Sequence, residues 1–287
     1  MTHKLLVTTY NHDITQFIMF CYCINKNWNG NHFITVVANS TEPYSNESWD
    51  IFVKELTEIT KKYLSRWTVE IVDGRHADHR GFREQQVNKV LYSIDDRFQD
   101  AIVFDAKDFL LRVADLSTFK IDDYYKVIDW IPEERLIDRY PKSHTLLDQD
   151  MSHIPAIYNL TPWIWNVDQL NQYWSYMTNK FGDYHEWGKD DYKGGGEIDS
   201  YFAYTYCNPD KTVKFSSLDD NHTLINGGWS GQSYEGMIEQ SAHFDYFTNR
   251  IVWKHHRNLK DSRCLEVTKS VLLEYGIEQE IIESVFN

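Results

Sequence analysis

The sequence predicts an α/β fold: a mixed, mainly parallel sheet flanked by helices, with a small helical tail at the C-terminal end. Strand-like and helix-like runs alternate through the first third of the chain, and a β-α-β-α-β order implies parallel strands joined by right-handed crossovers. The chain has 287 residues, 42% of them hydrophobic, and no obvious linker. That is enough to bury one large core, so a single α/β domain with appended elements is expected.

The elements follow in order. KLLVTTY (4–10) is a short β-rich run, NHD (11–13) supplies a helix N-cap, and the apolar density of the next fifteen residues suits a buried helix. HFITVVANS (32–40) reads as the second strand. In 47–67, Trp49, Phe52, Val53, Leu56, Ile59 and Tyr63 fall at helical spacing, and TVEIVDG (68–74) is the third strand. The segment 81–96 reads as a helix with Val87, Val90, Leu91 and Ile94 on one face, leading to the strand AIVFD (101–105). Beyond residue 112 the pattern is irregular. A helix is expected to open near Thr161-Pro162, since proline is tolerated in a first turn. The glycine run 194–196 precedes Glu197, Asp199 and a further helix, and IVWKHHRN (251–258) is a short strand with a cationic tip before an amphipathic tail.

Composition narrows the function classes. A net charge of −14 opposes nonspecific attraction to nucleic acid or anionic lipid, leaving only a local basic groove as a route to such partners. No apolar run is long enough to span a bilayer and no leader-like segment is present, so a cytoplasmic protein with no membrane partner is expected. The four cysteines show no C-x-x-C spacing, and buried free thiols are expected. Aromatic content of 15% suits stacking against sugars or bases as well as core packing.

The stretch AIVFDAKDFLL (101–111) ends a buried strand in Asp105, Lys107 and Asp108. Strand tips in α/β sheets are where ligands bind, and the tips gather Tyr10, Asn39, Asp73 and Asp105. The fingerprints G-x-G-x-x-G and G-x-x-x-x-G-K-[ST] are absent, which argues against dinucleotide and P-loop sites.

LVTTYNHD, GFREQQVNKVLYS, IVFDAKDFLL, TPWIW and GGGEIDSYFAY, in that order and at that spacing, resemble a poorly characterised group of glycosyltransferase-like proteins of bacteria and phages with the GT-A, Rossmann-like nucleotide-sugar transferase fold. The resemblance implies a glycosyltransferase domain over 1–257, with a nucleotide-sugar-binding half (1–111) and an acceptor-side half (112–257), and places the tail (258–287) outside it. It implies a nucleotide-diphosphate-sugar donor, a UDP-sugar first among them, and a hydroxyl acceptor. That acceptor is a saccharide, a small molecule or a hydroxymethylated DNA base. The acidic charge favours a saccharide, small molecule or protein, whereas a phage relationship and the aromatic content suit a flipped base. A non-catalytic nucleotide- or sugar-binding protein on the same fold is the alternative.

In that fold the central strand ends in D-x-D, which binds the donor and a divalent metal. Here Asp105 matches the first position, Lys107 stands at the third, and Asp108 follows. Two readings stay open. Either Lys107 offsets the diphosphate charge without a metal, or a turn at Ala106 swings Asp108 beside Asp105 to hold Mn²⁺ or Mg²⁺ together with His256. An exposed loop start is the structural alternative. The resemblance further implies Thr9, Tyr10, Gln86 and Lys89, with Gln85 beside them, on the donor side. It puts Trp163, Trp165, Gly195 and Gly196 on the acceptor side, with plain core equally open for the two tryptophans. Glu197 is the candidate general base with Asp199 beside it; the competing reading is that both acids only favour a helix N-terminus.

Overall fold

The structure is a computed structural model, and it describes residues 3–39, 46–75, 82–122, 124–128, 161–182, 201, 204, 205, 207, 213–216, 225–228, 233–237, 251–259 and 261–286. The alternating runs become β1 (His3–Tyr10), α1 (Ile14–Asn27), β2 (Phe33–Asn39), α2 (Asn46–Tyr63), β3 (Thr68–Asp73), α3 (Phe82–Leu91) and β4 (Asp100–Asp105). A short β5 (Asp108–Leu110) follows at once. After β6 (Lys120–Ile121) and β7 (Tyr124–Ile128) come β8 (Trp163–Asn166), α4 (Val167–Phe181), β9 (Val213–Ser216), β10 (Ile225–Gly228), β11 (Val252–His255), α5 (Arg263–Glu274) and α6 (Gln279–Phe286).

The main sheet has the order β3-β2-β1-β4-β8. Its first four strands are parallel and β8 closes the edge antiparallel to β4. Strand side chains alternate between faces, and the core divides accordingly. Leu5, Val7, Ile34, Val36, Ile102, Phe104 and Ile164 pack with α1 and α2. Leu6, Val37, Val103, Trp163 and Trp165 pack on the other face with Val87 and Val90 of α3 and Leu170, Tyr173 and Met177 of α4. The fold is therefore a mixed, mainly parallel sheet covered by helices on both faces.

Several boundaries differ from the sequence reading. The helix expected from Thr161-Pro162 starts five residues later in chain terms, at Val167, because Trp163-Ile164-Trp165 is a period-two strand pattern: the tryptophans face one layer and Ile164 the other. Asn166 then caps the helix by accepting from the Gln169 N–H at 3.1 Å. The NHD segment is a 3₁₀ turn, and Asp13 makes no side-chain cap bond there. The expected small helical tail is present as α5 and α6, and it packs on α1. Cys264, Val271, Leu272, Ile277 and Ile282 belong to the same core cluster as α1, and Lys26 of α1 donates to Gly276 O at 2.6 Å.

Two smaller sheets complete the described topology. One has the order β10-β11-β5, with β5 antiparallel to β11, and the other β6-β7-β9. Cys21, Cys23 and Cys264 are buried free thiols and Cys207 is half-buried. No helix among the described residues is long and apolar enough to cross a membrane.

At the tips of β2 and β3 the chain closes tightly on α3. Asn88 Nδ2 donates to Asn39 Oδ1 at 2.5 Å and to Gly74 O at 2.6 Å. A Cβ at Gly74 would lie 2.6 Å from Asn39 Oδ1, 2.7 Å from Asn88 Nδ2 and 2.8 Å from the Ala38 carbonyl. Gly74→Ala should therefore lower stability by about 1–3 kcal/mol through overpacking, read as a lower urea midpoint; an unchanged midpoint would show that the polar cluster yields freely.

Candidate active site at the strand switch point

Chain order in the main sheet reverses at β1. β2 and β3 lie to one side of it, β4 lies to the other, and the helices change faces with them. In such sheets a crevice opens at the carboxyl ends of the strands on either side of the reversal, here β1 and β4. Thr8 and Asp105 pair in register across it.

Asp105 is the hub. Its Oδ1 lies 2.6 Å from Lys89 Nζ, accepts from Gln85 Nε2 at 3.0 Å and from the Thr8 hydroxyl at 3.3 Å. Its Oδ2 accepts from Lys254 Nζ at 3.1 Å. One turn of α3 separates Gln85 from Lys89, so both project toward the same strand tip. The chain turns at Ala106-Lys107, which brings Asp108 back beside Asp105: Asp108 Oδ2 accepts from the Asp105 N–H at 2.7 Å. Asp108 Oδ1 lies 2.8 Å from Lys254 Nζ. Lys254 comes from β11, where it is the cross-strand partner of Asp108, and it also donates to Thr161 Oγ1 at 2.8 Å.

A second cluster adjoins this one. The Asp13 carboxylate that caps no helix lies 3.5 Å from Lys107 Nζ and accepts from Arg257. Four cationic side chains thus face three carboxylates at this end of the sheet. Their accessibility differs: Lys89 and Lys254 expose 2% and 7% of their side chains, Lys107 and Arg257 11% and 27%. Lys89 and Lys254 between them hold Asp105 and Asp108, and Lys107 and Arg257, less deeply buried, lie against Asp13.

The ionisation pattern follows from these distances. Burial opposes ionisation of Asp105, but Lys89, Lys254 and Lys107 outweigh it and hold its carboxyl well below the usual carboxylate range. Burial pushes Asp108 up, against the pull of Lys254 and with the help of Asp105. Burial lowers Lys254, and Asp108 and Asp105 more than reverse that, so it stays charged. For Lys89 burial dominates and lowers it. His256 is driven down to about 3 by burial and by the neighbouring Lys107, Lys254 and Arg257, so its imidazole is neutral at neutral pH.

Of the residues singled out from sequence, Lys89, Asp105, Lys107 and Asp108 come together, and Tyr10 is buried at the end of β1. Thr9 is buried with its hydroxyl turned to the Tyr10 carbonyl, while its neighbour Thr8 reaches Asp105. Gln86 is buried, and its Oε1 has no hydrogen-bond partner among the described residues. Trp163 and Trp165 stack at 5.8 Å within the core, and Lys89 Nζ stands 4.3 Å over the Trp163 ring. Of the adjacent histidines, His255 turns away to Thr268 Oγ1 at 2.9 Å. Gly195, Gly196, Glu197 and Asp199 lie outside the described residues. Sequence reasoning missed Lys254, Thr8, Thr161 and Asp13. The signal for Lys254 was a lysine inside the apolar run IVWKH, which a strand buries only with a carboxylate partner.

A divalent metal does not fit this donor set. Both oxygens of Asp105 face ammonium groups, and both oxygens of Asp108 are taken by Lys254 and the Asp105 N–H. His256 Nδ1 accepts from the Asn258 N–H at 3.1 Å. Among the described residues no group of three or more His, Cys, Asp or Glu side chains is placed to hold a metal ion.

No protein-family model matches the chain, and no curated protein does. Among solved structures it is similar to mouse xyloside xylosyltransferase 1 in its apo form, at 9% sequence identity and a TM-score of 0.48, over 91% of this chain and 100% of that one. The chemistry open to the site follows from its own groups.

Proposed function

We propose that the chain is a GT-A-like glycosyltransferase that takes a nucleotide-diphosphate sugar, a UDP-sugar first among the candidates, and transfers the sugar to a hydroxyl acceptor. The observation that carries this is the gathering of Lys89, Lys107, Lys254 and Arg257 at the switch point of a chain whose net charge is −14. Cations concentrated against that background mark a place for an anion. Lys107 and Arg257 are the less deeply buried members, and the planar fork of Arg257 suits diphosphate oxygens best. Asp105, held ionised, anchors Lys89 and Lys254 beside the crevice.

In the transfer, the acceptor oxygen forms a bond to the anomeric carbon as the bond from that carbon to the diphosphate oxygen breaks. The electron pair leaves with the diphosphate, where fixed cations stabilise the growing charge. The acceptor proton passes to a carboxylate, for which Glu197 is the candidate. Direct displacement of this kind inverts the anomeric centre. The acidic surface favours a saccharide, small molecule or protein acceptor over DNA.

A thermal-shift and calorimetric screen of nucleoside diphosphates and their sugars tests the reading. At least one should stabilise the fold, by about 2.7 kcal/mol at a hundredfold excess over its Kd. Arg257→Ala should weaken that ligand roughly 10- to 100-fold. A screen in which no nucleotide shifts the melting curve would remove the assignment. Tight binding with no turnover or donor hydrolysis would move it to a non-catalytic binding protein.

A further inference from the structure

The ammonium of Lys254 makes three contacts, to Asp105 Oδ2 at 3.1 Å, Asp108 Oδ1 at 2.8 Å and Thr161 Oγ1 at 2.8 Å. The contacts to Asp105 and Thr161 are hydrogen bonds, and the approach to Asp108 is an ion pair. Two carboxylates and a hydroxyl converging on one point are the hard oxygen donors that otherwise collect a divalent cation. The chain brings its own cation to that point from β11, a strand distant in sequence. The register makes this placement dependable: Lys254 and Asp108 are direct cross-strand partners. The next turn of chain is fixed as well, because the His255 N–H donates to the Lys107 carbonyl at 2.9 Å.

We propose that Lys254 is the resident cation of this site: it fills the position between Asp105 and Asp108 where a divalent ion would bind, so that a nucleoside diphosphate is held without metal by the outer cations Lys107 and Arg257. This rests on the reading of the crevice as a nucleotide-diphosphate site. Buried and held by these three oxygens, Lys254 neutralises the aspartates and acts on the ligand through them. Its charge keeps the two carboxylates from repelling the diphosphate, and its bonds fix the Asp105-Lys107 turn from which the Lys107 side chain projects. Lys254 is in these terms a positioning residue. The assignment differs from one in which Lys107 itself replaces the metal, since the Lys107 side chain is 3.5 Å from Asp13.

The test uses the full chain in two arms. In the first, Mn²⁺ is titrated in the absence of nucleotide and the free-ion paramagnetic resonance signal is followed. The wild type should leave that signal unchanged, whereas Lys254→Ala should take up Mn²⁺ stoichiometrically, because Asp105, Asp108 and Thr161 then face an empty cation position. In the second, UDP and other nucleoside diphosphates are titrated calorimetrically with EDTA or with Mn²⁺. Wild-type affinity should agree within about threefold between the two conditions, a difference below the tenfold that 1.4 kcal/mol represents. Lys254→Met, which fills the space without charge, should lose affinity roughly 10- to 100-fold and Mn²⁺ should not restore it. Stoichiometric Mn²⁺ uptake by the wild type that Asp105→Asn abolishes, or loss of nucleotide binding in EDTA, would overturn the proposal. Both wild-type measurements decide it even where a variant fails to fold. If no nucleoside diphosphate binds under any condition, the functional reading falls, and the Mn²⁺ arm still decides the place of Lys254.

Discussion

Asp105→Ala is expected to lose about 3–5 kcal/mol of folding stability, the cost of leaving buried charges without their partner. The substitution removes the carboxylate that Lys89 approaches at 2.6 Å and Lys254 at 3.1 Å, and both lysines are almost fully buried. Urea unfolding is the direct measurement. A loss below about 1 kcal/mol, the scale of a surface ion pair, would show that the lysines reorganise into solvent. The acid limb supplies a second reading. The Asp105 carboxyl is depressed in the folded chain. Its stabilisation is therefore fully present above the unfolded carboxylate value of about 3.9 and is lost as pH falls through the folded value. Asp108 shifts upward, so acid relieves a cost there. Wild-type stability should thus carry an acid-labile component below about pH 4 that Asp105→Ala lacks.

Glu197→Gln is expected to lower turnover roughly 10²- to 10⁴-fold while donor affinity stays nearly constant. Glutamine keeps the shape and hydrogen-bonding capacity of the side chain and removes only its basicity, which is needed as the acceptor hydroxyl loses its proton. Single-turnover kinetics beside calorimetry separate the two quantities. If Glu197→Gln keeps full turnover and Asp199→Asn is inactive, the base lies at Asp199. Loss of donor binding in the Glu197 variant would assign it a clamping role.

The elements legible in the sequence are those whose logic is local. β1 to β4 and α1 to α3 announce themselves by apolar periodicity, and the rule that ligands gather at strand tips pointed to Asp105 before any contact was known. The misread elements were decided by partners far along the chain. Trp163-Ile164-Trp165 alternates as a strand should, but Pro162 suggested a first helical turn, and only the edge of β4 shows what the strand pairs with. Asp13 has the position of an N-cap, yet Lys107 and Arg257 claim its carboxylate. The identity of the residue that meets both Asp105 and Asp108 was not readable locally, because Lys254 is 149 residues from Asp105.

That separation sets an order of events during synthesis. The strands β1 to β4 are complete once residue 105 has been made, and an N-terminal α/β unit can collapse while translation continues. β11 arrives much later, followed by α5 and α6; the Thr268 hydroxyl of α5 accepts from the Trp253 indole at 3.0 Å and shares a hydrogen bond with the His255 ring at 2.9 Å, on either side of Lys254. A nascent chain that stops short of Val252 is therefore expected to carry its sheet with Asp108 still hydrated and Asp105 held by Lys89, Gln85 and Thr8 without Lys254. The finished crevice is a late acquisition, closed from the C-terminal side, and a growing chain has no working copy of it until its final helices have docked.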